Sequence, residues 1–504
     1  MFKFVRIAIC AAVLGLSGLA FADVRVWGGG SGFVGNDFQT PANWSGDAVP
    51  GPLDTVRFDN TQTADCNLTA PVNVAGIEVN AGYSGQIVPG GNTLTVGAGG
   101  FTQADGTFAG GTAAEDINGS LSVTGGTFIA TANTLSIAGG FTVSGGGIFT
   151  ANGGAVLLDG AVKTVDIGAT TLNHVTVVMG GQILTVTGTL DVDGVLTLTS
   201  VLAINGGTIG AGGDVTVTDV TMAGSGEILF NGGGAQALGA SGGVGMVPNV
   251  RINKGGGALA LQDEIHVGGN WTWQAGGVNA GASHVVFPTG HHAVDSGAMV
   301  FHDVTLAMGD GAVLTVTGVM TVGADLTVTS VGAINVGTVA VAGDVMVTDV
   351  TMAGSGEILF NGGGAQVLGA LGGVGSVPNL RINKGGGALA VADEIRVGGN
   401  WTWQAGVVNA GASEVVFTGG SHAVDAGGMS FNDVTLEMGA GATLTTTGTL
   451  DVNGDFTITS CGAMSGGTLR VAGDLSSAAG AVTGTTGIVL DGGAGQVMTG
   501  AGAD

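Results

Sequence analysis

Residues 218–236 read TDVTMAGSGEILFNGGGAQ, and the same string returns letter for letter at residues 348–366. The decapeptide RINKGGGALA at 251–260 returns at 381–390, and VGGNWTWQAG at 267–276 returns at 397–406, all at one 130-residue offset. A third, partial copy follows: IVLDGGAGQ at 488–496 matches 358–366, and LDVNGDFTITS at 450–460 matches 320–330. A block of this length can be inserted into a folded chain only if the fold accepts new units at an internal seam without redrawing its core. That restricts the chain to repeat architectures in which each unit touches only its neighbours.

A shorter period lies inside the long one. Phe101, Leu121 and Phe141 recur with a 20-residue period, and Phe108, Phe128 and Phe149 keep almost the same one. Between them run short alternating segments such as Leu121-Ser122-Val123 and Leu135-Ser136-Ile137, divided by glycine-rich breaks. Helical periodicity is not sustained beyond Ala22, and runs rich in Val, Thr, Ile and Phe favour strands. The spacing predicts an all-β chain: a right-handed parallel β-helix (β-solenoid) with about 20-residue, three-strand coils and an N-terminal cap. At a strand spacing of ~4.8 Å, roughly 22 coils would make a rod about 100 Å long. The 103 glycines supply the left-handed corners and close coil-to-coil packing that such a fold needs.

Residues 1–22 read as a secretory signal, with Lys3 and Arg6 before an apolar core and Ala20-Phe21-Ala22 at the cleavage site. Maturation is expected at Asp23. The mature chain then carries nine basic against 37 acidic residues, a net charge of −28, which excludes nucleic acid and anionic membrane surfaces as partners. No later segment offers the ~20 apolar residues of a membrane span, so no direct membrane insertion is expected. Cys66 and Cys461 are too far apart in sequence to signal a disulfide framework.

The organisation expected is a signal peptide at 1–22, an N-terminal cap at 23–60 and β-helix coils at 61–170. Repeat copies follow at 171–300 and 301–430, with a partial third at 431–504. The cap, carried by Trp27, Gly29, Asn43, Trp44, Pro50, Asp54, Val56 and Phe58, resembles the N-terminal module of bacterial secreted and surface proteins with autotransporter-associated β-strand repeats. The stretches VPNVRINKGGGALAL, VGGNWTWQAGGVNAG and GEILFNGGGAQ resemble their body repeats. The resemblance implies a passenger-like β-helix displayed on the cell surface, although the chain stops at Asp504 without a membrane barrel. From that stop the sequence reading expects either a longer protein or end-to-end self-association through open strand edges.

Candidate sites are few. His284, His291, His292 and His302 fall within about one coil's length of sequence and could meet on adjacent coils as transition-metal ligands, though the next copy has Glu414, Ser421, His422 and Asn432 instead. Asp191 with Asp193, and Asp451 with Asp455, lie at acidic turns that would suit calcium; no cofactor is otherwise called for. The same aspartates could supply the paired carboxylates of a glycoside hydrolase. Trp271 and Trp273, repeated as Trp401 and Trp403, lie two apart and so on one face. Core filling is expected of them, an outward sugar-stacking platform being the alternative. Gly239-Ala240-Ser241-Gly242-Gly243 matches a hydrolase elbow by letters only, because Leu371 replaces Ser241 in the next copy and no helix follows. The expectation is an exported structural or adhesive surface rod without catalytic activity, with surface glycans or other surface proteins as partners. The alternative is a carbohydrate-active β-helix enzyme of polysaccharide lyase or glycoside hydrolase type.

Overall fold

The structure, a computed structural model, describes residues 22–478, 482–493 and 495–500. The secretory segment lies outside these residues except for Ala22, and so does the chain end at Asp504. The described chain is a parallel β-solenoid of about 22 turns at ~20-residue spacing, 58% strand and 1% helix. The helix is a single 3-10 turn, Pro41–Asn43. No helix among the described residues is long and apolar enough to cross a membrane, which says nothing of strands.

Two compact units divide the chain at residue 152. In the first, three parallel ladders run side by side. Val56, Ile77, Phe101, Leu121 and Phe141 follow one another as partners in one ladder. Val72, Leu94, Glu115 and Leu135 form the second. Cys66, Ile87, Phe108, Phe128 and Phe149 form the third. The alternation read from the sequence places these residues inward, and the phenyl rings stack as the 20-residue spacing requires. Phe108 and Phe128 lie 4.6 Å apart, and Phe128 and Phe149 5.6 Å with planes 7° apart. Each such pair adds about 0.5–1.5 kcal/mol beyond the area it buries.

The first rung is closed by the tryptophan-bearing segment. Val24–Val26 pairs in parallel with Thr55–Arg57, and Trp27 bridges Trp44 with ring centroids 5.0 Å apart. Both indoles are fully buried and both donate their N–H to a carbonyl, Trp44 to that of Phe38 at 2.7 Å and Trp27 to that of Ala64 at 3.1 Å. Beneath them burial holds the Cys66 thiol well above its usual range, with Asp37 adding to the effect. Cys66 and Cys461 are free buried thiols.

In the second unit, residues 153–504, the three sides of a coil are not always separate strands. His174–Val192 is one strand of 19 residues, paired in parallel with Leu196–Ala211. Register shifts fall between Val178 and Gln182 and between Val186 and Thr189, where Gly180, Gly181 and Gly188 take φ of +61°, +77° and +69°. Glycine turns the corner there without breaking the ladder, because only a residue lacking Cβ enters that region at little cost.

The duplicated letters reproduce a duplicated interior. Lys254 is buried, and its Nζ donates to the Gly232 and Gly234 carbonyls at 2.8 and 2.9 Å and to Gln236 Oε1 at 2.5 Å. Lys384 repeats this on Gly362, Gly364 and Gln366 at 3.0, 2.9 and 2.5 Å. The amide nitrogens of both glutamines donate to carbonyls of the coil below. The Asn-Gly-Gly-Gly motif is therefore a carbonyl cradle for a lysine of the next coil. Burial holds both ammonium groups below the ordinary lysine range.

Aspartates tie successive corners together. Asp303 Oδ1 accepts the Asp325 N–H, Asp325 Oδ1 that of Asp344, and Asp344 Oδ1 that of Val367, at 2.8–3.0 Å. Asp433, Asp455, Asp474 and Val497 repeat the chain at 2.7–2.8 Å. A carboxylate accepting a backbone N–H is a charge-assisted hydrogen bond, stronger than a neutral one.

Candidate functional site

Two adjoining depressions of about 410 and 480 Å³ open on the second unit and share Gly428, Met429 and Asn453. The first is walled by Trp403, which shares one strand with its neighbour Trp401. Alternation sends Trp401 fully inside, paired with Leu380. It would send Trp403 inside too, but a register shift between Ile382 and Asn383 intervenes just beyond it, and the indole is left half-buried. The core-filling expectation thus holds for Trp271 and Trp401, while Trp273 and Trp403 stand at the surface edge.

The ring of Trp403 is fixed. Its Nε1 donates to the Gly406 carbonyl at 3.0 Å, and its six-membered ring lies so close to Gly427 that any Cβ there would collide with Cε3. Gly427, at φ +56°, is one of the positions where glycine is required on both counts. Trp273 and Gly297 repeat this pairing in the preceding copy.

Beside the indole, three side chains stand in one column on successive coils. Ser430 is in register with Asp451, and Asp451 with Arg470, while the residues after each, Phe431, Val452 and Val471, are buried. Ser430 Oγ donates to Asp451 Oδ2 at 2.6 Å. Arg470 Nε donates to Asp491 Oδ2 at 3.0 Å, with a second, short bond from its terminal nitrogen, and lies 3.7 Å from Asp451 Oδ1. The Asp491 hydrogen bond and charge, with Asp451 behind them, raise the guanidinium above its usual range. Asn432 Nδ2 donates to Asp433 Oδ2 at 2.9 Å, and the exposed carboxamide of Asn453 has no protein partner among the described residues.

The indole belongs to the repeat, whereas most of the polar lining does not. One copy earlier the places of Ser430, Asn432, Asp451, Asn453 and Arg470 are held by Val300, His302, Thr321, Gly323 and Ala340, and Gly277 stands where Val407 lines the groove. Of these residues the sequence singles out Asp451, as half of a pair for calcium or for glycoside hydrolysis, and the tryptophan. Ser430, Asn432 and Asn453 carried no motif, because Asn453 lies a full coil beyond the other two and they converge only through strand register.

The histidines do not converge. His292 is buried with its two nitrogens facing the Gly269 and Pro288 carbonyls at 2.6 and 2.7 Å. His291 Nδ1 accepts the Val313 N–H at 3.0 Å, and His302 faces Asp303 at 3.0 Å. His284 joins Glu264 and Thr305, and Glu264 also holds His266 at 2.7 Å. The aspartates serve the fold as well: Asp455 caps the next corner, Asp191 is in register with Gly210, and Asp193 is exposed. Among the described residues, no group of three or more His, Cys, Asp or Glu is placed to share a metal ion.

Cations are similarly engaged. Arg25, Arg57, Arg251, Arg381, Arg396 and Arg470 each pair with a carboxylate. Ser241 sits at φ +55° on an exposed turn whose N–H neighbours Ala240 and Gly242 are held by Asp263 Oδ2. Comparison of the chain with family models, curated proteins and solved structures finds no match in any of the three.

Proposed function

We propose that this is an exported structural or adhesive β-helix protein of the cell surface or extracellular space, and that it works without catalysis. The observation that carries the reading is the duplicated lysine seat: copying six or so coils copied a polar interior already engaged in holding coil to coil. Duplication of that kind multiplies a scaffold, whereas a catalytic centre depends on one cluster that need occur only once. The pairing of every described arginine with a carboxylate, and of Lys254 and Lys384 with cradle carbonyls, also speaks against the polysaccharide lyase alternative, which needs basic groups free to take a proton and neutralise a uronate.

Export is tested by N-terminal sequencing of protein from the culture supernatant, with Asp23 expected first. The adhesive role is tested with beads coated in the purified protein. Binding of the beads to polysaccharide-coated or cell surfaces above uncoated beads, with no new reducing ends or unsaturated products, is the expected result. Turnover of any polysaccharide would replace this reading with the enzymatic one.

A further inference from the structure

We propose that the groove from Trp403 to Arg470 binds a neutral oligosaccharide laid across successive coils. The proposal rests on the adhesive reading and supplies the ligand class that reading lacks. An indole edge fixed at Nε1 by Gly406 and pressed on Gly427 gives the C–H face of a pyranose a rigid apolar partner, with little side-chain entropy left to lose. Val407, 64% exposed despite being aliphatic, extends that apolar floor.

Alongside the apolar floor are groups suited to hydroxyls. The Asn453 carboxamide offers two donors and an acceptor with no protein partner among the described residues, and Asp451 and Asp491 have further lone pairs to accept O–H bonds. Ser430, Asp451 and Arg470 step along the groove once per coil, at the ~4.8 Å strand spacing, which is close to the length of one sugar unit in an extended chain.

Charge selects within the class. Two carboxylates against one guanidinium leave the groove negative, within a chain of net charge −26, so uronate-rich or sulfated glycans are repelled. A cation is disfavoured because Arg470 already bridges the two carboxylates. An added peptide strand finds little edge to join, since the strands bearing Asp451 and Arg470 are paired on both sides and the strand bearing Ser430 is only two residues long.

The test is calorimetric titration of the purified protein with cellohexaose, xylohexaose and mannohexaose, and with trigalacturonate as the anionic control. Saturable binding of at least one neutral hexasaccharide is expected. Trp403→Ala should weaken it by about tenfold or more, equivalent to about 1.4 kcal/mol, while Trp273→Ala in the preceding copy should leave it unchanged. The combined variant Ser430→Val, Asp451→Thr, Asn453→Gly and Arg470→Ala restores residues that the preceding copy carries in the same fold, and it should lose binding with an unaltered circular dichroism spectrum. Absence of binding to all three neutral sugars, undiminished binding by the combined variant, or tighter binding of trigalacturonate would overturn the proposal. If coated beads still adhere in any of those cases, the groove assignment falls and the adhesive reading stands. If the hexasaccharide is bound and cleaved, the ligand class stands and the non-catalytic reading falls.

Discussion

Glu115 occupies a place that leucine holds in the coils on either side, since its partners in register are Leu94 and Leu135. It is 2% exposed, and burial pushes its pKa from the ordinary 4.5 to about 8, although the nearby Thr131 and Gly111 amides pull the other way. Between those two values the folded protein keeps a proton that the unfolded chain releases. The contribution of Glu115 is therefore fully present below pH 4.5 and is lost progressively as pH rises to about 8. Glu115→Leu should stabilise the first unit at pH 8.5 by on the order of 3–5 kcal/mol, and by much less at pH 4.5. Urea unfolding of both proteins at the two pH values checks this, and an equal gain at both would show that the carboxyl is not buried as described. Nothing in the local letters around Glu115 announced such a residue. Only the ladder, which sets it between two leucines, exposes it.

At the scale of a single turn, the three copies hold a natural comparison. Gly206, Val336 and Gly466 are equivalent, with φ of +69°, +59° and +74°. All three donate their N–H to a hydroxyl of the next coil, on Ser225, Ser355 and Thr485, at 3.1–3.3 Å. The turn is the same, so the valine adopts a backbone that a β-branched residue enters only under strain. Val336→Gly should raise stability by about 1 kcal/mol, the relief of a strain of roughly 1–3 kcal/mol less the added chain entropy of glycine. An unchanged or lower urea midpoint would refute it. Strand positions were readable because alternation and the 20-residue period report the same inward set, as in Phe108, Phe128 and Phe149. The surface position of Trp403 was not readable, because it follows from a register shift at Asn383, and a bulge leaves no mark in the spacing of apolar letters.

Across the whole chain, the 130-residue offset carries each strand to equivalent neighbours, as Trp271 on Val250 and Trp401 on Leu380 show, so a copy can be removed as cleanly as it was added. Deleting residues 271–400 joins Asn270 to Trp401 and restores VGGNWTWQAG at the junction, with Val250, Arg251 and Ile252 in place of Leu380, Arg381 and Ile382 as partners. The shortened product should be secreted, give the same β spectrum per residue and unfold within a few degrees of the parent. Aggregated or unfolded product would mean that the copies are not equivalent units. The sequence made the fold legible because repetition amplifies a weak local pattern, and it hid the groove because repetition draws the eye from positions where copies differ. The duplicated lysine seat also bears on how the chain avoids assembling wrongly. Lys254 fits the cradle at Gln366 as well as the one at Gln236, so the seats themselves carry no address. Only the tether distinguishes them: Lys384 lies 18 positions from its own glutamine but 148 from the other. By loop-closure entropy that difference favours the near seat by about 2 kcal/mol, roughly twentyfold. Such a margin suffices for an isolated molecule, but it shrinks when neighbouring chains offer identical cradles at high local concentration. Emergence from the ribosome, N-terminus first, lets Lys254 take the Gln236 cradle before that of Gln366 exists, and Lys384 then finds the earlier cradle filled, so the order of synthesis acts as the proofreader that the sequence does not contain.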